Sequence, residues 1–333
     1  MRGLTPRPDG TVFDVVGIGN ALVDIISHVE DRFIDEHGLV KGAMTLVDTD
    51  RALALHRSLG TSVEMSGGSA ANTVCGVASL GGRAAYIGKV SDDDLGGARS
   101  LDLLAVGVRF APGGPADGVP TGRCIIAVTD DAERTMNTYL GASSLLTPAD
   151  VDTDVVAAAR VLYMEGYLFD RPEATGAFRH AARASHDAGR LVSLTLSDSF
   201  CVDRHRDDFR ALVTDEVDLL FGNADELIAL YETDSFDEAV AAVRADCRLA
   251  AITLGARGSI AVTHDDVVEV PAVGVPHVVD TTGAGDLFAA GFLFAHTRGD
   301  DLASCAHIGA IAAAEVISHV GPRPLVELRT LLR

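Results

Sequence analysis

The chain has 333 residues, of which 47% are hydrophobic and 23% are charged, and its formal net charge at pH 7 is −21. This length suffices for one large α/β domain with an appendage or for two domains, and the composition is that of an ordinary globular protein. The negative charge argues against nucleic-acid binding, because the phosphate backbone requires a basic protein surface.

The five cysteines, at positions 75, 124, 201, 247 and 305, are widely spaced, with no C-x-x-C and no paired histidines. Neither a disulfide framework nor a structural zinc site is therefore expected. Residues 1–12 lack the apolar core of a signal peptide. The longest apolar run is shorter than the roughly 20 residues of a membrane helix. We expect a reduced, cytoplasmic protein without a membrane partner.

The first predicted element is a buried strand at residues 12–19, which is followed by Asn20 and Asp24. Its apolar run is typical of a parallel strand covered on both faces. The glycines of this segment resemble a dinucleotide-binding fingerprint, but Leu22 replaces the third glycine and the pattern continues as a strand. A Rossmann dehydrogenase is therefore disfavoured.

Two β-rich segments, 22–66 and 119–140, interrupt the alternation of strands and helices that an α/β core would show. The first segment contains predicted strands at 22–27, 44–47 and 62–66 and predicted helices at 30–37 and 49–59. Together the two segments predict a small sheet laid over the main domain, which makes them a candidate lid.

The other ranges, 1–21, 67–118 and 141–333, predict the core domain. After the glycines at 67–68, a helix that ends near Leu80 precedes a strand at 84–87. From residue 141 the alternation is regular, with strands at 160–164, 191–196, 217–221 and 249–253 and helices at 172–188, 205–213, 224–231 and 236–246. A hairpin at 258–270 and a helix at 303–319 follow. This order predicts a mostly parallel central sheet with helices on both faces.

The stretch Asp280–Asp286 is the strongest candidate for a functional motif. Val278 and Val279 end a predicted short strand, and 287–295 predicts a helix buried on more than one face. The glycines between them allow a ligand to approach the first N–H groups of the helix, which attract anions. A carboxylate beside an anion cradle suggests phosphoryl transfer. The structural alternative, an Asp that only caps a helix, remains open on this pattern alone.

The sequence D-T-T-G-A-G-D before an apolar helix resembles the C-terminal signature of the PfkB/ribokinase family of small-molecule kinases. Three further segments are similar to motifs of this family: the glycine-rich 67–72, the N-x-x-E at 223–226 and the T-x-G-x-x-G at 253–258. The resemblance covers nearly the whole chain. It implies a ribokinase-like α/β fold, with a mostly parallel central sheet, helices on both faces and a small β-rich lid.

The resemblance also implies roles for individual residues. Asp286 would be the catalytic base, and the N–H groups of Gly283, Ala284 and Gly285 would form the anion hole. Asn223, Glu226, Thr253, Gly255, Gly258 and Thr282 would bind ATP. Glu226 would hold Mg²⁺ through water, since Mg²⁺ usually keeps several waters and few protein carboxylates. Whether a monovalent cation such as K⁺ is also needed is left open.

Within the family, the similarity is greatest to the adenosine kinases, as in G-I-G-N-A-L-V-D-I at 17–25. It implies the substrate-binding residues Asn20, Asp24, Gly67, Gly68, Ser69 and Asn72. It also implies a base pocket formed by Cys124, Leu140, Ala142 and Tyr167. Arg134 would reach the phosphates from the lid. Tyr167-Leu168 stands where these kinases usually have two phenylalanines, so base stacking is less well supported.

The expected reaction is transfer of the γ-phosphoryl group of ATP to the 5′-hydroxyl of a nucleoside, with adenosine favoured. A sugar kinase acting on a ribose- or fructose-like ring is the alternative within the family. A nucleoside-binding protein that has lost turnover is the alternative outside catalysis. A monomer is expected, with a dimer left open.

Overall fold

Two β-sheets form the framework of the computed structural model, which describes residues 5–131, 133–170 and 172–332. Residues 1–4, 132, 171 and 333, which the predicted domain ranges include, lie outside the described residues. The strands in chain order are β1 (Phe13–Ile18), β2 (Leu22–His28), β3 (Met44–Leu46), β4 (Val63–Gly67), β5 (Ala84–Gly88), β6 (Arg109–Pro112), β7 (Gly122–Val128), β8 (Arg134–Tyr139), β9 (Ala159–Glu165), β10 (Leu191–Thr195), β11 (Leu219–Asn223), β12 (Leu249–Thr253), β13 (Ser259–Thr263) and β14 (Val267–Val270).

The helices cover these sheets and connect their strands. In chain order they are α1 (Asp31–Glu36), α2 (Thr49–Ser58), α3 (Ser69–Ser79), α4 (Asp94–Ala105), α5 (Thr153–Ala157), α6 (Pro172–Asp187), α7 (Ser199–Asp215), α8 (Ala224–Tyr231), α9 (Phe236–Asp246), α10 (Ala284–His296) and α11 (Leu302–Val316). Short 3-10 turns lie at Gly141–Leu145, Pro148–Asp150, Gly166–Asp170, Gly255–Arg257 and Leu328–Leu332. None of the described helices is long and apolar enough to span a membrane.

The large sheet has, within the described residues, the strand order β14-β13-β12-β11-β10-β9-β1-β5-β6. Its strands from β6 to β12 are parallel, and only the pairs β12–β13 and β13–β14 are antiparallel. Strand β9 lies in the centre of the sheet because both of its faces are apolar: Leu162 and Met164 face one hydrophobic core, whereas Val161 and Tyr163 face the other. Because both faces of such a strand are buried, the sheet needs helices on both sides. The predicted architecture is confirmed.

Helices α5 to α9 supply the first of these cores, and α3, α10 and α11 supply most of the second. Helix α10 is buried along nearly its whole length, as its continuous apolar sequence predicts. It packs against both α3 and α11 and directs its first turn to the carboxyl edge of the sheet. This packing fixes the position of the Asp280–Asp286 motif.

The small sheet has the order β3-β8-β7-β2-β4 and draws its strands from residues 22–67 and 122–139. On one face, Val23, Ile25 and Ile125 pack against Leu55 of α2. The opposite face is also apolar and carries Ile126 among other residues. These strands fall within one or two residues of the predicted lid segments. That the small sheet is a movable lid over a separate core domain stays our interpretation.

Several elements differ from the predictions. Helix α4 and strand β6 were not expected, because Gly96 and Gly97 weaken the helical pattern and β6 is a short edge strand that ends at Pro112. Helix α7 begins at Ser199 instead of residue 205, with a kink at His205. Val278 and Val279 are not in a strand: both side chains are exposed, and Val279 N–H donates to Ile317 at the end of α11.

Candidate active site

A cavity of about 940 Å³ opens between the carboxyl ends of the parallel strands and the apolar face of the small sheet. Five of its polar lining residues end or follow consecutive strands of the large sheet, namely Asn20, Glu165, Thr195, Asn223 and Thr253. Ligands of open α/β sheets bind at this edge, because the loops and helix N-termini converge there. The first turn of α10 lies in the wall of the same cavity.

Asp286 is the third residue of α10 and lines the cavity floor. Its two carboxylate oxygens accept one hydrogen bond each, from Ser69 Oγ at 2.6 Å and from Asn72 Nδ2 at 2.9 Å. Burial raises the pKa of Asp286, while these two bonds and the charge of Arg323 act to lower it. The result is a carboxylate that is fixed in orientation and more basic than an exposed one.

The turn before α10 presents backbone N–H groups beside Asp286. Gly283 has φ +77°, and a Cβ there would lie 2.7 Å from the carbonyl oxygen of Pro322, so only glycine fits. Ala284 N–H donates to the carbonyl of Thr281 at 3.2 Å. In the part of the chain that the structure describes, Gly283 and Gly285 N–H have no such backbone partner. Two of the three predicted anion-hole donors are therefore free to meet a ligand.

Glu165, which the sequence did not single out, organises the opposite wall. Its Oε1 accepts Asn20 N–H and Asn20 Nδ2, and its Oε2 accepts Ala70 N–H at 2.9 Å. Ser143 Oγ donates to Asn20 Oδ1 at 3.0 Å. Burial raises the pKa of Glu165 to about 7. A carboxylate that ends an otherwise apolar strand at the ligand-binding edge was the signal that could have revealed it.

Asp24 lies on β2, is buried and lines the cavity. Burial raises its pKa to about 6, although the nearby arginines 134, 323 and 99 lower it. Two predicted substrate-binding residues are placed differently. Gly67 does not line the cavity: a side chain there would overlap the Asp24 carboxylate, so Gly67 makes room for Asp24. Ala142 is fully buried and also lies outside the lining.

Arg134 does not line the cavity either, and its role at the phosphates stays a prediction. Its Nη1 donates to both carboxylate oxygens of Asp280, at 2.7 and 2.6 Å. Asp280 also accepts the N–H groups of Thr282 and Gly321. Burial acts to raise the pKa of Asp280, but these contacts outweigh it and lower the pKa. The reason for the placement is electrostatic, since two buried opposite charges are much costlier apart than together.

Apart from Arg134, the predicted nucleotide-binding residues line the cavity: Asn223, Glu226, Thr253, Gly255, Gly258 and Thr282. Asn223 caps α8 and forms a reciprocal capping box with Glu226, whose carboxylate accepts Asn223 N–H at 3.0 Å and Asn223 Nδ2 at 2.7 Å. Burial, together with the negative charges of Asp198, Asp225 and Asp286, raises the pKa of Glu226 to about 7. This accumulation of negative charge suits a divalent cation. Among the described residues, no three His, Cys, Asp or Glu side chains form a direct metal cage.

Apolar surfaces extend the cavity on two sides of this polar centre. The face of the small sheet contributes Leu22, Met44, Leu46, Cys124, Ile126, Met136 and Leu140. The loop after β14 and helix α11 contribute Val273, Val275, Val278, Ala310, Ala313, Ala314 and Ile317. Tyr167 also lines the cavity, and its hydroxyl donates to the carbonyl of Ser197 at 3.2 Å. The cavity therefore combines a polar centre, at the first turn of α10, with apolar surfaces on two sides.

Comparison with known proteins agrees with this geometry. A family model described as pfkB family carbohydrate kinase matches residues 43–328. The solved adenosine kinase of Sinorhizobium meliloti is 53% identical, with a TM-score of 0.91 over 96% of this chain and 98% of that one. A probable sugar kinase protein from Rhizobium etli CFN 42 is 48% identical, with the same TM-score and coverage. Adenosine kinase 1 of Arabidopsis thaliana is 25% identical over 92% of this chain and 94% of its own length.

Proposed function

The chain belongs to the pfkB family of kinases, and from that premise we propose that it phosphorylates the 5′-hydroxyl of a nucleoside, with adenosine as the substrate. Membership makes it a phosphotransferase with an alcohol group as acceptor, and it implies ATP as donor together with a divalent metal. The ribokinase-like fold is shared with the solved relatives over nearly the whole chain.

The apolar lining on one side of the cavity is the observation that favours a nucleoside over a free sugar as substrate. Beside Asp24, the small sheet offers Met44, Leu46, Ile126 and Met136, with few polar groups. A nucleobase would bury its ring faces there, whereas a free sugar would leave this surface uncovered. The cavity is also lined by the polar residues Asn20, Asp24 and Glu165, whose oxygens would accept hydrogen bonds from the ribose hydroxyls. The 53% identical adenosine kinase supports the same substrate.

Asp286 is the proposed base. Held by Ser69 and Asn72, its carboxylate takes the proton of the attacking hydroxyl, whose oxygen then bonds to the γ-phosphorus as the bond to ADP breaks. Gly283 and Gly285 N–H meet the charge on the transferring phosphoryl group. Glu226 would hold Mg²⁺ through water, and the metal would neutralise phosphate charge. The monomeric state and the cytoplasmic location stay predictions, and the need for a monovalent cation such as K⁺ stays open.

A sugar kinase is the second candidate, favoured by the 48% identical probable sugar kinase and by a polar centre that would also fit a sugar ring. An ATP-coupled assay that compares adenosine, other nucleosides, ribose and fructose separates the two. We expect the highest kcat/KM with adenosine. Higher kcat/KM with a free sugar would reject the nucleoside, and no turnover with any acceptor would favour a binding protein.

A matched pair of variants tests the apolar pocket directly. Leu46 and Val63 lie on the two edge strands of the small sheet and are 46% and 60% exposed, but only Leu46 lines the cavity. Leu46→Asp should raise the KM for adenosine roughly tenfold or more, the equivalent of losing a buried aliphatic contact. Val63→Asp should leave it unchanged. Equal KM values in both variants would contradict the proposed base pocket.

A further inference from the structure

Arg323 lies in the irregular segment after α11, far in sequence from the motifs considered so far. Its guanidinium donates to two side chains of α3 and to one carbonyl of β4: Nε to Asn72 Oδ1 at 2.8 Å, Nη1 to Cys75 Sγ at 2.8 Å and Nη2 to Ser66 O at 2.9 Å. The side chain is only 11% exposed, and its Nη1 lies 3.6 Å from Asp102 Oδ2. A planar guanidinium that makes several hydrogen bonds has little freedom to move, so these bonds fix the side chains of Arg323 and Asn72 in place.

The contact with Asn72 determines the orientation of that amide. An arginine can only donate hydrogen bonds and an ionised carboxylate can only accept them. Asn72 therefore turns Oδ1 to Arg323 and Nδ2 to Asp286, which its Nδ2 reaches at 2.9 Å. The reverse orientation would place N–H against N–H on one side and oxygen against oxygen on the other. Arg323 thus determines that Asn72 is a donor to Asp286.

The backbone that carries Arg323 is itself tied to the loop before Asp286. Gly321 N–H donates to Asp280 at 2.8 Å, and Pro322 packs against Gly283. Residues 321–323 therefore contact Asp280 and Gly283, which precede Asp286, as well as α3. A single short segment joins the two helices that hold the base.

We propose that Arg323 is a positioning residue for phosphoryl transfer, acting on Asp286 through the oriented side-chain amide of Asn72. The proposal rests on the proposed function of Asp286 as the base. It assigns to Arg323 no contact with the substrate, so its removal acts on the rate of the chemical step more than on substrate binding.

Charge adds to this geometric effect. The charged and titratable groups around Asp286 are Asp24 on β2, Tyr163 and Glu165 on β9, Tyr167 after β9, Glu226 on α8 and Arg323. Burial raises the pKa of Asp286, whereas the bonds from Ser69 and Asn72 and the positive charge of Arg323 lower it. Removing Arg323 leaves Asp286 among carboxylates and phenols, so its pKa rises. The acid limb of the pH profile of kcat must then move to higher pH.

The test uses Arg323→Met, which keeps the length of the side chain and removes its donors and charge. We expect kcat to fall roughly 10- to 100-fold, the effect of a small misplacement of a reacting group, with the KM for adenosine within about threefold of wild type. Arg329→Met, which removes an exposed arginine paired only with Glu327 among the described residues, is the matched control. It should leave both constants unchanged.

A double-mutant cycle separates positioning from general support of the fold. If Arg323 acts through Asn72, then Arg323→Met added to Asn72→Ala should change kcat by no more than about twofold at pH 8. Fully additive losses, or an unshifted acid limb in Arg323→Met, would overturn the proposal. Should Arg323→Met fail to fold, Arg323→Gln removes the positive charge but keeps a polar side chain. An unshifted acid limb in this variant would also overturn the proposal. Failure of the proposed function itself would appear separately, as no nucleoside phosphorylation by wild type.

Discussion

Asp286 occupies a position where a structural role and a catalytic role both have a physical basis. It lies in the first turn of α10, where a carboxylate stabilises the helix, yet Ser69 and Asn72 hold it facing the cavity. A helix cap has no need of two side-chain donors from another helix. The contacts with α3 therefore favour the catalytic role.

Asp286→Asn separates these roles. The amide keeps the size of the side chain and suits a helix start, so the melting temperature should change little. The loss of a proton acceptor should lower kcat by about 10²–10⁴, while calorimetry should still show adenosine and ATP binding. Asp301→Asn, at the exposed N-cap of α11, is the control for a pure capping change. A stable Asp286→Asn enzyme with near-normal turnover would contradict the assignment.

Single residues also show where prediction from sequence ends. Asn20, Asp24 and Asn72 are recognisable because they lie in or beside short motifs. Glu165 and Arg323 lie outside such motifs, and their key contacts reach partners 95 and 251 residues away. No local pattern encodes a contact of that range. Gly67 was predicted to bind the substrate, but it does not line the cavity and its lack of a side chain makes room for Asp24.

At the scale of elements, the position of α10 depends on close contacts between helices. Gly291 of α10 faces Gly309 of α11, and Gly76 of α3 lies against Leu287 and Ala290. Glycine at these positions lets the helix backbones approach, so that the first turn of α10 reaches the cavity. The same approach leaves no space for added atoms.

Gly291→Ala tests this packing. The new Cβ would lie 2.5 Å from the carbonyl oxygen of Ile308, so a helix must move, and we expect the free energy of unfolding to fall by about 1–3 kcal/mol. Gly97→Ala on α4 is the matched control, because nothing lies within 4 Å of its added Cβ. It should raise stability by up to about 1 kcal/mol through helix propensity. Chemical denaturation measures both, and a Gly291→Ala protein of wild-type stability would contradict the packing argument.

The pair Arg134–Asp280 joins the small sheet to the loop before α10. Their side chains are 10% and 5% exposed, so Arg134→Ala leaves the buried carboxylate of Asp280 without its opposite charge. We expect a loss of about 3–5 kcal/mol in the free energy of unfolding. Arg32→Ala, which breaks an exposed pair with Glu30, should cost no more than about 1 kcal/mol. A lower kcat at an unchanged melting temperature would instead support the predicted role of Arg134 at the phosphates.

For the molecule as a whole, the sequence predicts the regular parts better than the irregular ones. Strands such as β9 and β12 have apolar residues on both faces, and this pattern has few alternative explanations. The segment 271–283 was partly misassigned because Val278 and Val279 are apolar yet exposed. Their position is set by a hydrogen bond from Val279 N–H to Ile317 at the end of α11, and a local sequence pattern does not show such a contact. The cavity also has no local sequence pattern, since it forms only where the two sheets meet.

The buried carboxylates of that cavity give the whole protein a pH dependence. Burial raises the pKa of Asp24 from 3.8 to about 6 and that of Glu165 from 4.5 to about 7. Between about pH 4 and 7 the folded state therefore holds protons that the unfolded state has lost, and the free energy of unfolding falls as pH rises. The net charge of −21 acts in the same direction.

Urea denaturation between pH 4.5 and 7.5 measures this slope. Glu165→Gln should flatten it, whatever its effect on absolute stability, because the titrating group is gone. Glu269→Gln, an exposed change on β14, should leave the slope as in wild type. A Glu165→Gln protein with the wild-type slope would show that another group is responsible.

The path of the chain between the two sheets has a thermodynamic consequence. The backbone crosses from one sheet to the other at residues 19–21, 68, 113–121 and 140, and three of these crossings carry the cavity-lining Asn20, Gly68 and Leu140. Any tilt of the small sheet must turn dihedral angles at these hinges. If the small sheet moves as a lid, a ligand held there would favour one tilt, and by reciprocity that tilt would strengthen ligand binding by the same free energy. Affinity and conformation would then be set at the same few residues, and a substitution that stiffens a crossing should change both together.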